Sequence, residues 1–231
     1  AASSAVPVLF NPVVVRNLPN CGSEVPEWLE KARERAGDNP EIALVVDGIE
    51  TYFNRQKRKY IHFVDGGLTD NLGLRAVYEV IELAGGAREY LRKSGRNPLR
   101  RIVLLSVNAS TEVESEMDST NEQPSIEDTI NAMSDIPLHR YNAATIHLMQ
   151  DMLNGWAEQL STPDKAVKVY FIRIGFGDLP DPKRRRLFNQ IPTSFSLTND
   201  QVDALLEAGG ELLRNNVEFR RLMADLNSEG G

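Results

Sequence analysis

The sequence has only one cysteine, Cys21, and three histidines among its 231 residues. One thiol excludes an internal disulfide framework and a cysteine-based zinc cluster, and three histidines make a multi-histidine metal site an unfavourable interpretation. No apolar run approaches the roughly 20 residues of a membrane-spanning helix, and the first ten residues lack the basic start of a signal peptide. We therefore expect a soluble chain without a metal site.

Both the composition and the charge distribution are informative. Hydrophobic residues at 41% and charged residues at 26% are typical of a globular chain and exclude extensive disorder. The formal charge of −7 comes from residues 111–135, which hold eight acids and no Lys or Arg, so the rest of the chain sums to +1. The basic runs 55–59 and 183–186 lack interleaved aromatics, so we interpret them as solvated helix ends or loops and expect no nucleic-acid partner.

Four short β-rich runs alternate with helical patterns, which predicts an α/β fold with a parallel sheet. The strands are expected at residues 6–15, 60–64, 102–107 and 167–174. The third run is almost continuously apolar and predicts a strand that is covered on both faces. The fourth run alternates apolar and polar residues and predicts a more exposed strand.

Helices are predicted where apolar residues recur at helical spacing between start and stop signals. Thr198 and Gln201 have the spacing of a capping box and predict a helix start near the C-terminus. Residues 109–124 are acidic and aperiodic, so we expect a mobile loop, which is a candidate lid over a site. The predicted helices cover residues 28–36, 41–53, 74–84, 138–160, the segment after Thr198, and 217–226.

The most informative stretch for chemistry runs from Tyr60 through a predicted strand into Asp65, Gly66 and Gly67. In a parallel sheet this places the Asp65 carboxylate at the carboxyl end of a strand, where ligand crevices of α/β folds open. The two glycines remove side chains beside the acid, so another backbone or a substrate can approach it. The alternative is that Asp65 only caps the following turn, and the spacing alone leaves both interpretations open.

Three segments of the sequence resemble one protein family. The run DGGLTDNLGLR, which starts at Asp65, resembles the aspartate motif of bacterial patatin-like phospholipases. Residues 2–13, ASSAVPVLFNPV, and residues 188–197, FNQIPTSFSL, are similar to other parts of the same family. The resemblance implies a three-layer α/β/α fold with a mainly parallel central sheet, of which residues 1–231 form the C-terminal portion of a single hydrolase domain.

The resemblance also implies a serine–aspartate dyad that cleaves carboxylic esters of lipids without a cofactor. Asp65 matches the dyad aspartate, and Gly66 and Gly67 match the glycines beside it. The family's serine lies in a Gly-x-Ser-x-Gly elbow, but no serine in this sequence has glycine at both second-neighbour positions. We therefore expect the chain to be the aspartate-bearing portion of a larger hydrolase and to be inactive alone.

Other interpretations follow from the missing nucleophile. The chain is alternatively an inactive binding or regulatory module, or one of two chains that together form a site with a serine-bearing partner. The implied partners are a lipid or other acyl ester, the absent serine-bearing portion, and a transient contact with a membrane surface.

Among the remaining polar candidates, His62 is expected to be packed or hydrogen-bonded, and His147 is expected to be solvated. Asp70 and Asn71 are expected to cap the helix that follows them.

Overall fold

The computed structural model describes residues 11–18, 25–95, 99–110, 121, 123, 126–192, 194 and 196–229. For residues 38, 126–136 and 229 it describes the backbone only. Most of the predicted acidic loop at 109–124 and residues 6–10 of the predicted strand at 6–15 lie outside these ranges. The chain divides into two compact units: Ala1–Arg100 with Leu138–Val167, and Arg101–Pro137 with Lys168–Gly231.

The architecture is mixed α/β, as the sequence predicted. The first unit contains a β-ribbon and most of the N-terminal helices, and the second contains a parallel strand pair and the C-terminal helices. The elements are, in chain order, β1 (Val13–Arg16), α1 (Glu27–Arg35), α2 (Pro40–Glu50), β2 (Tyr60–Phe63), α3 (Gly67–Asp70), α4 (Leu74–Leu83), α5 (Ala87–Ser94), β3 (Arg101–Asn108), α6 (Ile126–Leu160), β4 (Lys168–Gly175), α7 (Pro182–Asn189), α8 (Asn199–Asn215) and α9 (Val217–Glu229).

Local sequence signals mark the starts of α8 and α2. Thr198 Oγ1 accepts a hydrogen bond from the Gln201 N–H at 3.3 Å, and Gln201 Oε1 accepts one from the Thr198 N–H at 2.9 Å, so the predicted capping box is confirmed. Asn39 caps α2 through its side chain, and Pro40 occupies the first turn, where its missing N–H costs nothing. Helix α6 begins twelve residues before the predicted start and contains Pro137. Helices α5 and α7 were not predicted.

In the second unit, β3 and β4 pair in parallel along their full lengths, which confirms parallel pairing at this point. The predicted burial of the two strands is wrong. Four residues of β4 are buried, because α8 and α9 pack over it through Leu212 and Leu222. On β3, Val103, Leu105 and Val107 are 47%, 50% and 63% exposed. The apolar content of β3 correctly predicted a strand, but α8 and α9 cover the neighbouring strand β4.

In the first unit, β1 and β2 form an antiparallel ribbon in which Val13 pairs with Phe63 and Arg16 with Tyr60. The sequence predicted only parallel neighbours, so this expectation is wrong for β2 in the described part of the chain. Strand periodicity is the same in both arrangements, and the direction of pairing depends on partners such as Arg16 and Tyr60 that are far apart in sequence. Asp65 nevertheless follows the carboxyl end of β2.

No helix within the described ranges is long and apolar enough to cross a bilayer.

Helix α9 is tied to the start of the parallel pair by one carboxylate. Asp225 accepts hydrogen bonds from Lys168 on β4 and Arg101 on β3, and its side chain is only 10% exposed. Arg221 of the same helix lies over the Tyr170 ring, with its guanidinium carbon 4.3 Å from the ring centroid. The hydrogen bonds from Lys168 and Arg101 hold the pKa of Asp225 well below its usual range.

This depressed pKa predicts a pH-dependent contribution to stability. A carboxylate whose folded pKa is lowered stabilises the fold above its ordinary pKa of about 3.9, and the stabilisation is lost as the pH falls further. We expect Asp225→Asn to lower the urea midpoint at pH 7 and to differ progressively less from the parent chain below about pH 4. Asp203→Asn, an exposed aspartate on α8, is the control and should match the parent throughout. A deficit of Asp225→Asn that stayed constant down to acid pH would contradict the assignment.

Candidate functional site

The candidate site is the turn that connects β2 to α3. Strand β2 ends at Phe63, Asp65 follows two residues later, and α3 begins at Gly67. The Asp65 side chain is half-buried, and the turn belongs entirely to the first unit. The polypeptide therefore presents a carboxylate between the end of a strand and the start of a helix.

One oxygen of Asp65 is held by the backbone. The Gly67 N–H donates to Asp65 Oδ1 at 2.7 Å, a charge-assisted bond across two residues. The interpretation of Asp65 as a turn cap is therefore correct. Within the described residues the second oxygen, Oδ2, receives no hydrogen bond, so the cap orients the carboxylate and leaves one oxygen available as a proton acceptor.

The two glycines beside Asp65 have different roles. A Cβ added to Gly67 would lie 2.7 Å from Asp65 Oδ1 and 3.2 Å from Asn71 Oδ1, which is too close for Asp65 to stay in place. A Cβ added to Gly66 would meet no heavy atom of the described residues within 4 Å, apart from its own chain neighbours. The absent side chain at Gly67 thus makes room for the polar groups of the turn itself, whereas the space at Gly66 is open to an approaching group.

Asp70 caps helix α4, as predicted. Its Oδ1 accepts from the Arg75 N–H at 3.2 Å, and its Oδ2 accepts from the Ala76 N–H at 2.9 Å. The chain can turn back over the helix start because Gly73 has a φ of 66°, a conformation that costs other residues roughly 1–2 kcal/mol. Both oxygens of Asp70 are therefore used, in contrast to those of Asp65.

The Arg75 side chain anchors this turn to two other helices, which the sequence did not predict. Its Nε donates to Thr145 Oγ1 at 3.0 Å, and its NH1 group pairs with Glu41 at 2.7 Å. Its guanidinium carbon lies 4.4 Å from the centroid of the Tyr141 ring. Burial is the largest single influence and by itself lowers the pKa of Arg75, but the hydrogen bond and charge attraction to Glu41, together with Tyr141 and the Asp70 carboxylate, outweigh it, so the pKa is raised. Tyr141 and Thr145 share a helix face by spacing, but that spacing does not indicate that an arginine reaches them.

Glu79, one turn further along α4, has a raised pKa because it is partly buried and lies near the Asp70 carboxylate.

The histidines divide as follows. His62 is exposed on β2 opposite Val14, and its side chain makes no hydrogen bond among the described residues, so the prediction that it is packed or hydrogen-bonded is wrong. A two-stranded ribbon leaves both of its faces open, and strand periodicity does not reveal this. His147 is solvated as predicted, and its Nδ1 lies 3.5 Å from Asp151 Oδ2.

The described residues contain no group of three or more His, Cys, Asp or Glu side chains that could hold a metal ion. Comparison of the chain with protein-family models, with curated proteins and with solved structures found no match.

The different surroundings of Gly66 and Gly67 predict different effects of substitution. Gly67→Ala forces Asp65 Oδ1 away from the Gly67 N–H, whereas Gly66→Ala leaves that bond intact. Losing one such hydrogen bond costs about 1–2 kcal/mol, so we expect Gly67→Ala to be less stable than Gly66→Ala by about that amount. Urea denaturation of the two variants measures the difference. Equal stabilities would show that the bond does not hold the turn.

Proposed function

We propose that this chain is the aspartate-bearing portion of a patatin-like lipid acyl hydrolase, with Asp65 as the general base of a serine–aspartate dyad. In this proposal the mixed α/β framework is part of a three-layer α/β/α domain with a mainly parallel central sheet. The observation that carries the proposal is the Asp65 carboxylate, which has Oδ1 held by Gly67 and Oδ2 unoccupied among the described residues. A base needs both an orienting bond and an available oxygen.

The proposed reaction requires a serine from outside this chain. Oδ2 of Asp65 accepts the proton of the serine hydroxyl over about 2.6–3.2 Å while the serine oxygen attacks the acyl carbonyl of the ester. Collapse of the tetrahedral intermediate breaks the ester bond, and the proton passes to the departing alcohol. Water then hydrolyses the acyl-serine by the reverse proton route, which releases the fatty acid and restores both residues.

Gly66 has the geometry for the approach of that serine. It is the chain neighbour of Asp65, and a Cβ on it would meet no described heavy atom within 4 Å other than those of its own two neighbours, which supports an open approach at Gly66. A serine backbone or the acyl group of a substrate fits there, whereas the space at Gly67 is already filled by polar oxygens of the turn. The serine is therefore expected to approach Asp65 from the side of Gly66.

Exposed strand surfaces support the proposal that the chain is part of a larger domain. In the first unit Val14 and Phe63 are exposed on opposite faces of the β1–β2 ribbon. In the second unit Val103, Leu105 and Val107 form an exposed apolar stripe on β3. Parallel sheets are normally covered on both faces, and two-stranded ribbons are marginally stable alone. Further strands or helices of a complete hydrolase domain would cover such surfaces.

A second candidate function is a binding or regulatory module without catalysis. The bond between Gly67 and Asp65 favours it, because a structural cap is by itself a sufficient reason for an aspartate in this turn. The coding sequence upstream of this chain distinguishes the two functions. Codons in the same reading frame for a Gly-x-Ser-x-Gly motif would support the hydrolase, and their absence would support the binding or regulatory module. A serine-bearing separate chain would instead co-elute with this one when the two are co-expressed.

Ester hydrolysis tests the assignment of Asp65. We expect no turnover of p-nitrophenyl esters by this chain alone and clear turnover by a chain extended to include the elbow serine. Asp65→Asn in the extended chain keeps an acceptor for the Gly67 N–H but cannot take a proton, so kcat should fall by about 100-fold or more.

Asp70→Asn in the same extended chain is the matched control, because it removes a negative charge close to Asp65 in sequence, and both Asp70 oxygens bind the start of α4. Its kcat should stay near that of the parent, even though its stability falls. Parental activity in Asp65→Asn, or an equal loss of kcat in both variants, would refute the role of Asp65 as the base.

A further inference from the structure

A basic surface lies at the end of the β1–β2 ribbon that is opposite to Asp65. It is formed by Arg16 at the end of β1 and by Lys57, Arg58 and Lys59 just before β2. The strands bring Arg16 to the other three: Arg16 pairs with Tyr60 in the ribbon, and the Asn17 N–H donates to the Lys59 carbonyl at 3.0 Å. We call these four side chains the basic turn.

No described acid neutralises the basic turn. Residues 11–18 and 51–64 contain no Asp or Glu, and the four side chains form no ion pair with the described residues. Elsewhere in the same unit arginines have carboxylate partners: Arg33 pairs with Glu50 and Arg75 with Glu41. The basic turn is therefore a local positive charge on a chain whose net charge is −7.

The backbone of the basic turn is held in one shape. Asn17 Nδ2 donates to the carbonyl of Tyr52 at 2.7 Å and to that of Arg58 at 2.9 Å. The Arg58 guanidinium carbon lies 5.4 Å from the centroid of the Tyr52 ring. The loop before β2 is thus fastened to the end of β1, so its cations are displayed together.

Two apolar side chains accompany the cations. Leu18 follows Asn17 and is 54% exposed, and Tyr60 begins β2 and is 53% exposed. Tyrosine is enriched where one end of a side chain meets apolar surroundings and the other meets water. At a lipid surface the phosphates lie outside and the acyl chains inside. Exposed cations can therefore contact the phosphates while a neighbouring leucine and tyrosine reach the acyl chains.

We propose that the basic turn, with Leu18 and Tyr60, binds the surface of an anionic phospholipid bilayer. The cations contact lipid phosphates, and the two apolar side chains enter the boundary between headgroups and acyl chains. A nucleic acid would also attract the cations but offers nothing to the exposed leucine, which favours the lipid. Strand β2 separates this surface from Asp65 by about 17 Å at 3.3 Å per residue. The proposal therefore does not depend on the proposed hydrolysis.

Vesicle binding tests the proposal with the chain as it is. The probes are vesicles of phosphatidylcholine alone and of phosphatidylcholine mixed with phosphatidylglycerol, and sedimentation measures the partition coefficient. The test variant is Arg16→Gln/Lys57→Gln/Lys59→Gln, and the control is Lys183→Gln/Arg185→Gln/Arg186→Gln on α7, which removes the same charge from side chains without a described ion pair. Circular dichroism confirms that both variants are folded.

We expect the parent chain and the α7 control to bind only the anionic vesicles, and binding to weaken with added salt. Since each cation contributes roughly fivefold at such a surface, the test variant should bind about 100-fold more weakly. Leu18→Ser, which keeps every charge, should also weaken binding.

Absence of vesicle binding by the parent chain, or equal losses in the test and control variants, would overturn the proposal. So would binding of the parent to single-stranded DNA but not to vesicles. Because none of these measurements uses ester turnover, they stay valid if Asp65 proves to be only a cap.

Discussion

The hydrogen bond from the Gly67 N–H to Asp65 Oδ1 is the contact on which the functional interpretation of this chain depends. It selects one orientation of the carboxylate, and it needs a residue without a side chain at position 67, because a Cβ there would lie 2.7 Å from the same oxygen. The bond leaves Oδ2 open among the described residues. A turn cap and a catalytic base are usually treated as alternatives, but here the cap provides the orientation that a base requires.

Support for this turn comes from residues other than Asp65. Asp70 uses both oxygens on the start of α4, and Gly73 provides the left-handed turn that brings it there. Arg75 then binds Glu41 and Thr145 from two other helices. The sequence run that resembles the aspartate motif therefore contains one residue with an available carboxylate oxygen and several that hold the turn in place.

Charge in this protein has meaning only locally. The net charge of −7 comes from the acidic segment 111–135. In the described parts of the chain, single acids pair with particular cations. Asp225 connects α9 to the first residues of β3 and β4, and Glu41 neutralises Arg75. At the basic turn no acid is near in sequence, and the strand register adds a fourth cation to the three that are consecutive. A charge count from composition hides this surface.

The sequence by itself determined the mixed α/β class, most helix bounds, the Thr198 capping box, and the cap formed by Asp70. Each of these depends on bonds between residues at most six positions apart, which spacing and side-chain chemistry are sufficient to predict. Even the missed helix α7 had a local signal, since Asp181 caps it and Pro182 occupies its first turn. The tertiary structure alone decided the antiparallel pairing of β1 with β2, the greater burial of β4 than of β3, the partners of Arg75, and the position of Arg16 beside Lys59. Those features join residues from 34 to 70 positions apart, and which distant surface meets which is set by packing of whole elements and not by any local pattern.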